Sequence, residues 1–230
     1  DRITVVAPND FDLPKGGLGI RWPDTPLAQE ARLVNYKWYA ALAYVRANKL
    51  NRVVIDSPAA RFGIMAAGKA YLDLRQALAD LGLNDETCAQ IGIRVLKVGC
   101  VWPLDAQDAR AFAMGLDQIL VVEEKRQILE YALKEHLYNW REDVRPRVFG
   151  KFDERDDRGG EWAMPKGNWL LPAPGELSPS IIARALAARL QRVDLPAHVR
   201  ARITARITVI DTLENPSRAM AGIAERKPWF

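Results

Sequence analysis

Arg61-Phe-Gly-Ile-Met-Ala-Ala-Gly68, Ile93-Arg-Val-Leu-Lys-Val-Gly99 and Gln118-Ile-Leu-Val-Val-Glu-Glu124 are short apolar runs closed by glycine or by acids. Between them lie Lys69–Leu81 and Asp105–Gly115, whose apolar residues return at helical spacing. Strand, helix, strand, helix, strand in this order is the sequence form of βαβ units in a parallel sheet. The stretch from Arg61 to Glu124 therefore predicts an α/β fold, with three layers and a mainly parallel sheet between helices.

Just upstream, Asn51–Asp56 reads as another strand and Ser57-Pro-Ala-Ala60 as a turn. A hairpin with the strand from Arg61 is expected, which would set one antiparallel strand in the sheet. Downstream of Gly68, Ala70, Leu74, Ala77, Leu78 and Leu81 form the apolar side of the helix that Gly82 ends. Asn84–Ile91 is a short helix or turn, and Pro103 closes the next strand before Asp105 caps a helix. Glu123-Glu124-Lys125 stands where a strand meets the helix Arg126–Leu137.

The N-terminal part, residues 1–50, is predicted to be an extension. It begins with a short strand over Ile3–Ala7 and continues into Asp12-Leu-Pro-Lys-Gly-Gly-Leu-Gly19. No GK[ST] follows these glycines and no helix opens on the last of them, so a structural turn is favoured over a phosphate cradle. Leu27–Asn48 is a helix, with Thr25 as N-cap and Pro26 at its first position. Tyr36, Trp38, Tyr39 and Tyr44 nearly encircle it. Two explanations stand side by side: packing between two layers, or an interface with another domain.

After the core, placed at 51–176, come C-terminal helices and a linker over 177–230. Val148–Phe152 is a candidate last strand, Asp153–Gly160 a solvated charge run, and Met164–Pro174 an extended surface segment. Ser178 caps a helix reaching about Val193, and a final helix spans Pro196–Leu213. Its Arg200, Arg202 and Arg206 read as a solvated face, and His136 and His198 as solvent-facing.

Composition narrows the functions. Hydrophobic residues make up 49% and charged residues 27% of 230, ample for one core with long extensions. A net charge of +4 from interleaved lysines, arginines and acids falls short of a dedicated nucleic-acid binder. Cys88 and Cys100 are the only cysteines and lack a metal-ligand spacing, which fits a reduced, cytoplasmic chain. No run reaches membrane-span length, and no GxSxG or HExxH occurs. The start at Asp1 and the end at Pro228-Trp-Phe230 suggest a piece of a longer chain.

Several segments together resemble a known family. Gly63-Ile-Met-Ala-Ala-Gly68, Lys97-Val-Gly-Cys-Val-Trp-Pro-Leu104, Leu120-Val-Val-Glu-Glu124, Phe149-Gly-Lys151, Leu171–Pro179 and Gly16–Asp24 are similar to the thiamine-dependent 2-oxoacid oxidoreductases, in particular the fused bacterial indolepyruvate ferredoxin oxidoreductases. The resemblance implies a transketolase C-terminal-like middle domain that helps hold subunits together. It also implies that Arg226–Phe230 precedes a Cys-rich segment. None of the family's catalytic motifs falls here, so no catalytic residue and no cofactor site is expected within these residues.

For the whole enzyme the resemblance implies thiamine diphosphate, an iron–sulfur cluster and coenzyme A, with an aryl 2-oxoacid as substrate. Ferredoxin, neighbouring thiamine-binding modules of the same polypeptide and a homo-oligomer are the implied partners. If coenzyme A, or a nucleotide, borders this domain, Lys69, Lys97 and Lys125 are the candidates for its phosphates. Glu123 and Glu124 are candidates at the carboxyl ends of the strands, where open α/β sheets bind ligands. Acids beside a helix N-terminus also serve the helix dipole, and that simpler role is favoured for the pair.

Overall fold

The computed structural model describes residues 4–19, 21–153 and 169–213. Its centre is a sheet of five strands: β1 (Arg52–Ile55), β2 (Phe62–Ala67), β3 (Ile93–Val98), β4 (Gln118–Val122) and β5 (Arg147–Phe149), in the order β1-β3-β2-β4-β5. β3, β2, β4 and β5 are parallel, and β1 runs antiparallel to β3.

Alternation along the strands sorts the core into two. Phe62, Ile64 and Ala66 of β2, with Val95 and Leu120 beside them, face the helices α3 (Gly68–Asp80), α7 (Pro179–Leu190) and α8 (Ala197–Leu213). Met65, Leu96, Ile119 and Val121 face α5 (Ala106–Ala113) and α6 (Leu129–Leu137). The register agrees: Ile64 pairs with Val95 and Leu120, and Met65 with Leu96 and Val121. Three layers result, with both faces of the central strands covered from within the chain.

The expected antiparallel strand is present, but it is not a hairpin partner of β2. β3 lies between the two. The chain turns at Ser57–Ala60, where the Ala60 amide donates to the Ser57 carbonyl at 3.2 Å, and then passes the start of β3. There the Arg61 and Phe62 amides donate to the Gly92 carbonyl at 2.8 and 3.1 Å. Gly92 has φ +80, and a Cβ on it would meet the Ala59 carbonyl oxygen at 2.9 Å. At the far end of β3 a Cβ on Gly99 would meet the Leu50 carbonyl oxygen at 2.4 Å. Glycine at both ends thus lets the flanking chain pass close by.

Local signals in the sequence mostly hold. Asn84 caps α4 (Asp85–Gln90), Asp105 caps α5 and Ser178 caps α7, each side-chain oxygen accepting from a first-turn amide. Thr25 caps α1 (Pro26–Arg32), which runs through a π-helical turn (Leu33–Lys37) into α2 (Trp38–Ala47). Gly16 and Gly17 make a turn, with the Gly17 amide donating to Pro14.

Other expectations give way. Residues 4–7 form no strand; the Val6 amide and carbonyl pair instead with the Asn48 side-chain amide at 2.8 and 2.9 Å. His136 is half-buried and donates from Nε2 to the Leu104 carbonyl at 3.1 Å, whereas His198 is exposed. Arg202 and Arg206 of α8 are exposed, as a solvated face requires, and Arg200 is half-buried, yet all three also satisfy open carbonyls at other helix ends. Arg206 donates to the carbonyl of Asp80, the last residue of α3, and Arg202 to that of Gly82 just beyond it, while Arg200 donates to Gln191 and Val193, beyond α7.

Of the supposed surface segment Met164–Pro174, residues 164–168 lie outside the described residues, as do 154–160 of the charge run and the tail from Glu214. Within the described part, Trp169 stacks on Phe152 at 4.6 Å, and Leu171 is fully buried in the core. Residues 169–174 are a strap packed into the domain, not a surface ribbon.

Gly63 tests the packing beneath β2. A Cβ there would lie 2.5 Å from Leu116 Cδ1 and 2.9 Å from Phe112 Cζ. Gly63→Ala is expected to cost about 1–3 kcal/mol through overpacking, read as a lower urea midpoint at unchanged slope.

Candidate functional site

Beyond the carboxyl ends of β2 and β4 lies a crevice of about 270 Å3, lined by Ala67, Gly68, Lys69, Glu123, Glu124 and Arg126 among others. Gly68 carries φ +53, so the backbone turns from β2 directly into α3 with no side-chain cap on the helix. Three of the sequence candidates, Lys69, Glu123 and Glu124, meet here. Lys125 and Lys97 do not line the crevice.

Each of these groups already has a partner. The Glu123 carboxylate accepts from the Ile128, Leu129 and Glu130 amides at 2.9, 3.0 and 3.0 Å, and so closes the N-terminus of α6. That end of the helix is taken by the chain's own acid. Lys69 Nζ donates to Asp73 at 2.7 Å, to the Leu177 carbonyl at 3.0 Å and to Glu124 at 3.3 Å. The Asp73 carboxylate chiefly, then Glu124, raises the Lys69 ammonium above its ordinary value. Lys125, at φ 58, donates to the Gly175 carbonyl at 2.6 Å. Lys97 lies over the Tyr71 ring at 5.0 Å, on the α3 side of the sheet.

Burial pushes the Glu124 carboxyl upward, but the Leu177 amide and the Lys69 ammonium outweigh it and hold the group below its ordinary value. Lys69, Glu124 and Lys125 thereby tie the strap at Gly175–Leu177 to the strand ends.

Beneath the crevice sits a residue that the sequence did not single out. Lys151, fully buried, donates from Nζ to the Glu123 carbonyl and to the Pro172 carbonyl, the latter at 3.4 Å. Its own amide donates to Glu130 Oε2 at 3.1 Å, and Lys134 donates to Glu130 Oε1 at 2.7 Å. Burial pushes the Lys151 ammonium below its ordinary range, against the pull of Glu123, Glu130 and Glu124. A Cβ on Gly150 would fall 2.0 Å from Glu130 Oε2, so glycine makes room for this buried carboxylate. In the sequence Lys151 stands only within the candidate last strand and the family-like Phe149-Gly-Lys151, and a lysine is ordinarily assigned to solvent.

A larger opening, of about 580 Å3, lies at the opposite, amino-terminal edge of the strands. Arg61, Arg145, Arg147, Arg189 and Arg192 line it together with Asp117 and Asp143. Its cations are tied down: Arg189 stacks over Phe149 at 3.6 Å and donates to Gln118 and Asp153, and Arg192 donates to Asp153.

The described residues hold no group of three His, Cys, Asp or Glu placed to bind a metal. Cys88 is buried, and burial raises its thiol to about 12, while Cys100 is half-exposed. Two thiols do not make up the four ligands of an iron–sulfur cluster. No described helix is long and apolar enough to cross a membrane.

A mainly parallel sheet between two helical layers, open to a crevice at its carboxyl edge, defines an open-sheet α/β domain. The chain belongs to the indolepyruvate ferredoxin oxidoreductase middle-domain family, whose model matches residues 51–220. It is similar to indolepyruvate oxidoreductase subunit IorA of Methanothermobacter marburgensis, 35% identical over 83 residues, 36% of this chain and 12% of the relative. The subunit of the same name from Thermococcus kodakarensis is 32% identical over 92 residues, 40% of this chain and 13% of the relative. The chain therefore spans only a small part of the curated relatives it matches.

Two solved structures overlap it loosely. One is a split-gene transketolase in an inactive β4 tetramer, with TM-score 0.36, 17% identity, and coverage of 69% of this chain and 42% of that one. The other is the 2-oxoglutarate:ferredoxin oxidoreductase of Magnetococcus marinus with 2-oxoglutarate, coenzyme A and succinyl-CoA bound. Its TM-score is 0.39 at 13% identity, covering 79% of this chain and 26% of that one.

Replacing Lys151 by Met is expected to cost about 1–3 kcal/mol in urea unfolding, because the Glu123 and Pro172 carbonyls lose their buried donor while Glu130 keeps Lys134. Glu124 gives a pH test. A carboxyl held below its ordinary value adds stability above that value and loses it as pH falls through the lowered one. Between about pH 6 and pH 3, Glu124→Gln should therefore lose less stability than the wild type, as read from urea midpoints.

Proposed function

We propose that this chain is the assembly domain in the middle of a thiamine-dependent 2-oxoacid:ferredoxin oxidoreductase and does no chemistry alone. The match of residues 51–220 to the indolepyruvate ferredoxin oxidoreductase middle domain carries this reading. The whole enzyme would oxidatively decarboxylate an aryl 2-oxoacid in the cytoplasm and pass the electrons to ferredoxin. Thiamine diphosphate, when bound, supplies the carbanion chemistry at the keto carbon. The residues described here do not fit that cofactor's metal or a cluster, so both would be held by modules elsewhere in a homo-oligomeric enzyme.

Coenzyme A, or a nucleotide, at the strand ends is the second reading, favoured by the crevice beside the uncapped start of α3. Against it, Lys69 and Lys125 already serve chain carbonyls and carboxylates, and Lys97 lies elsewhere.

Isothermal calorimetry separates the two. The 230-residue chain should give no heat with thiamine diphosphate and magnesium, none with coenzyme A, and no turnover of indolepyruvate. Heat with coenzyme A that is lost in Lys69→Ala would establish the ligand-binding reading instead. Turnover by the chain alone would remove the assembly reading.

A further inference from the structure

The helical run from Pro26 to Ala47 adds little to the core. Of its residues only Ala43 and Val45 are buried; α1 and the π-helical turn bury none. Its large side chains face water instead: Tyr39 is 58% exposed, with Leu33, Tyr36, Trp38 and Tyr44 also classed among the exposed apolar residues. Helices of this length in water are marginal unless an apolar face is packed. Exposed aromatic and aliphatic side chains gathered along one helix of a folded domain mark an interaction surface.

The patch does not end with the helix. Trp38 meets Trp102 edge to face at 5.8 Å, and Trp102, just beyond β3, is itself 65% exposed. Val101 beside it lines the crevice at the strand ends. Exposed apolar side chains thus extend from the helix through Trp102 toward the carboxyl edge of the sheet.

Charge narrows the partner. The arginines bordering the patch are neutralised within the chain: Arg32 by Asp24 at 3.2 Å, and Arg46 by Asp10 and Asp105 at 2.7 and 2.6 Å. Lys37 is the remaining cation of the helical run and is half-buried, so the surface fits an apolar protein face better than phosphates or anionic lipid. The helix also lies ahead of residues 51–220, the part that the family model matches. The matched region is only 12% and 13% of the two curated relatives described above, which extend far beyond it.

We infer that the face made by the aromatic helix and Trp102 is a docking surface for another module of the same oxidoreductase polypeptide, lying outside these 230 residues and presenting an apolar, near-neutral face. The inference rests on the assembly reading and names the surface through which it works. Docking would bury the tyrosines and tryptophans that the domain leaves in water, and would cover the strand-end crevice in the same step.

Hydrogen–deuterium exchange on the complete polypeptide and on the 230-residue chain, at equal concentration, tests this. Amides of residues 33–47 should exchange about ten-fold or more slowly in the complete polypeptide, while those of α5 exchange alike in both. Tyr39→Asp should restore fast exchange in residues 33–47 of the complete polypeptide, and Leu72→Asp, on the exposed side of α3, should not. Equal rates in the two proteins would overturn the inference. So would protection that appears in the 230-residue chain as its concentration rises, since the occupant would then be a second copy. Activity keeps the two readings apart: a polypeptide that oxidises 2-oxoacids but leaves the helix unprotected defeats the docking surface alone. One that protects the helix yet oxidises none defeats the functional reading alone.

Discussion

Strand β2 has a hydrogen-bonded neighbour on each side and helices over each face, and keeping water from both faces shapes the rest of the molecule. All but the last of its residues are buried. A strand of this kind has no polar side, so its sequence is a near-continuous apolar run. One helical layer would leave Met65 in water and the other would leave Ile64 there. The crossover helices therefore fall on opposite faces, α3 on one and α5 on the other, and the later helices complete the two layers.

The carboxyl edge of the sheet is where an open α/β domain ordinarily opens to a ligand, yet here its polar groups answer one another. The Glu123 carboxylate closes α6, its carbonyl receives the Lys151 ammonium, and Glu124 joins Lys69 to the strap before α7. A buried ammonium holds its charge only while carbonyls and carboxylates surround it, so the strap, α6 and the end of β4 depend on one another. Such an edge holds the strap, α6 and the end of β4 in one fixed arrangement.

Much of this was legible in the sequence, because strands buried on both faces and helices buried on one leave periodic signals. Gly68, Gly82, Asp105 and Ser178 marked element ends correctly, since capping and left-handed backbone are local matters. What escaped depended on contacts distant along the chain. The partner of β1 could not be read, because inserting β3 beside it is a matter of topology that its own residues do not encode. Leu171 read as surface because prolines surround it, although it fills the core between β-sheet and α7. The arginines of α8 read as a solvated face and two of them are exposed, but their carbonyl partners, up to 126 positions away in the chain, could not be read; nor could those of Lys151, which was placed only in a candidate last strand. The helix-terminus role favoured for the acidic pair falls to Glu123 alone, through neighbours within seven residues, whereas Glu124 joins Lys69 to the Leu177 amide.

Gly92 and Gly99 bracket β3 where the chain on either side of it comes closest. Sliding the strand by one position in either direction would bring a side chain against a backbone carbonyl, that of Ala59 or that of Leu50. The pair therefore acts as a gauge of strand length, fixing the one alignment in which β3 can enter between its neighbours. An inserted or deleted residue within β3 would have nowhere to be absorbed, whereas the loops beyond the two glycines are under no such restriction. In this molecule the room left by two missing side chains decides alignment as firmly as the side chains that are present.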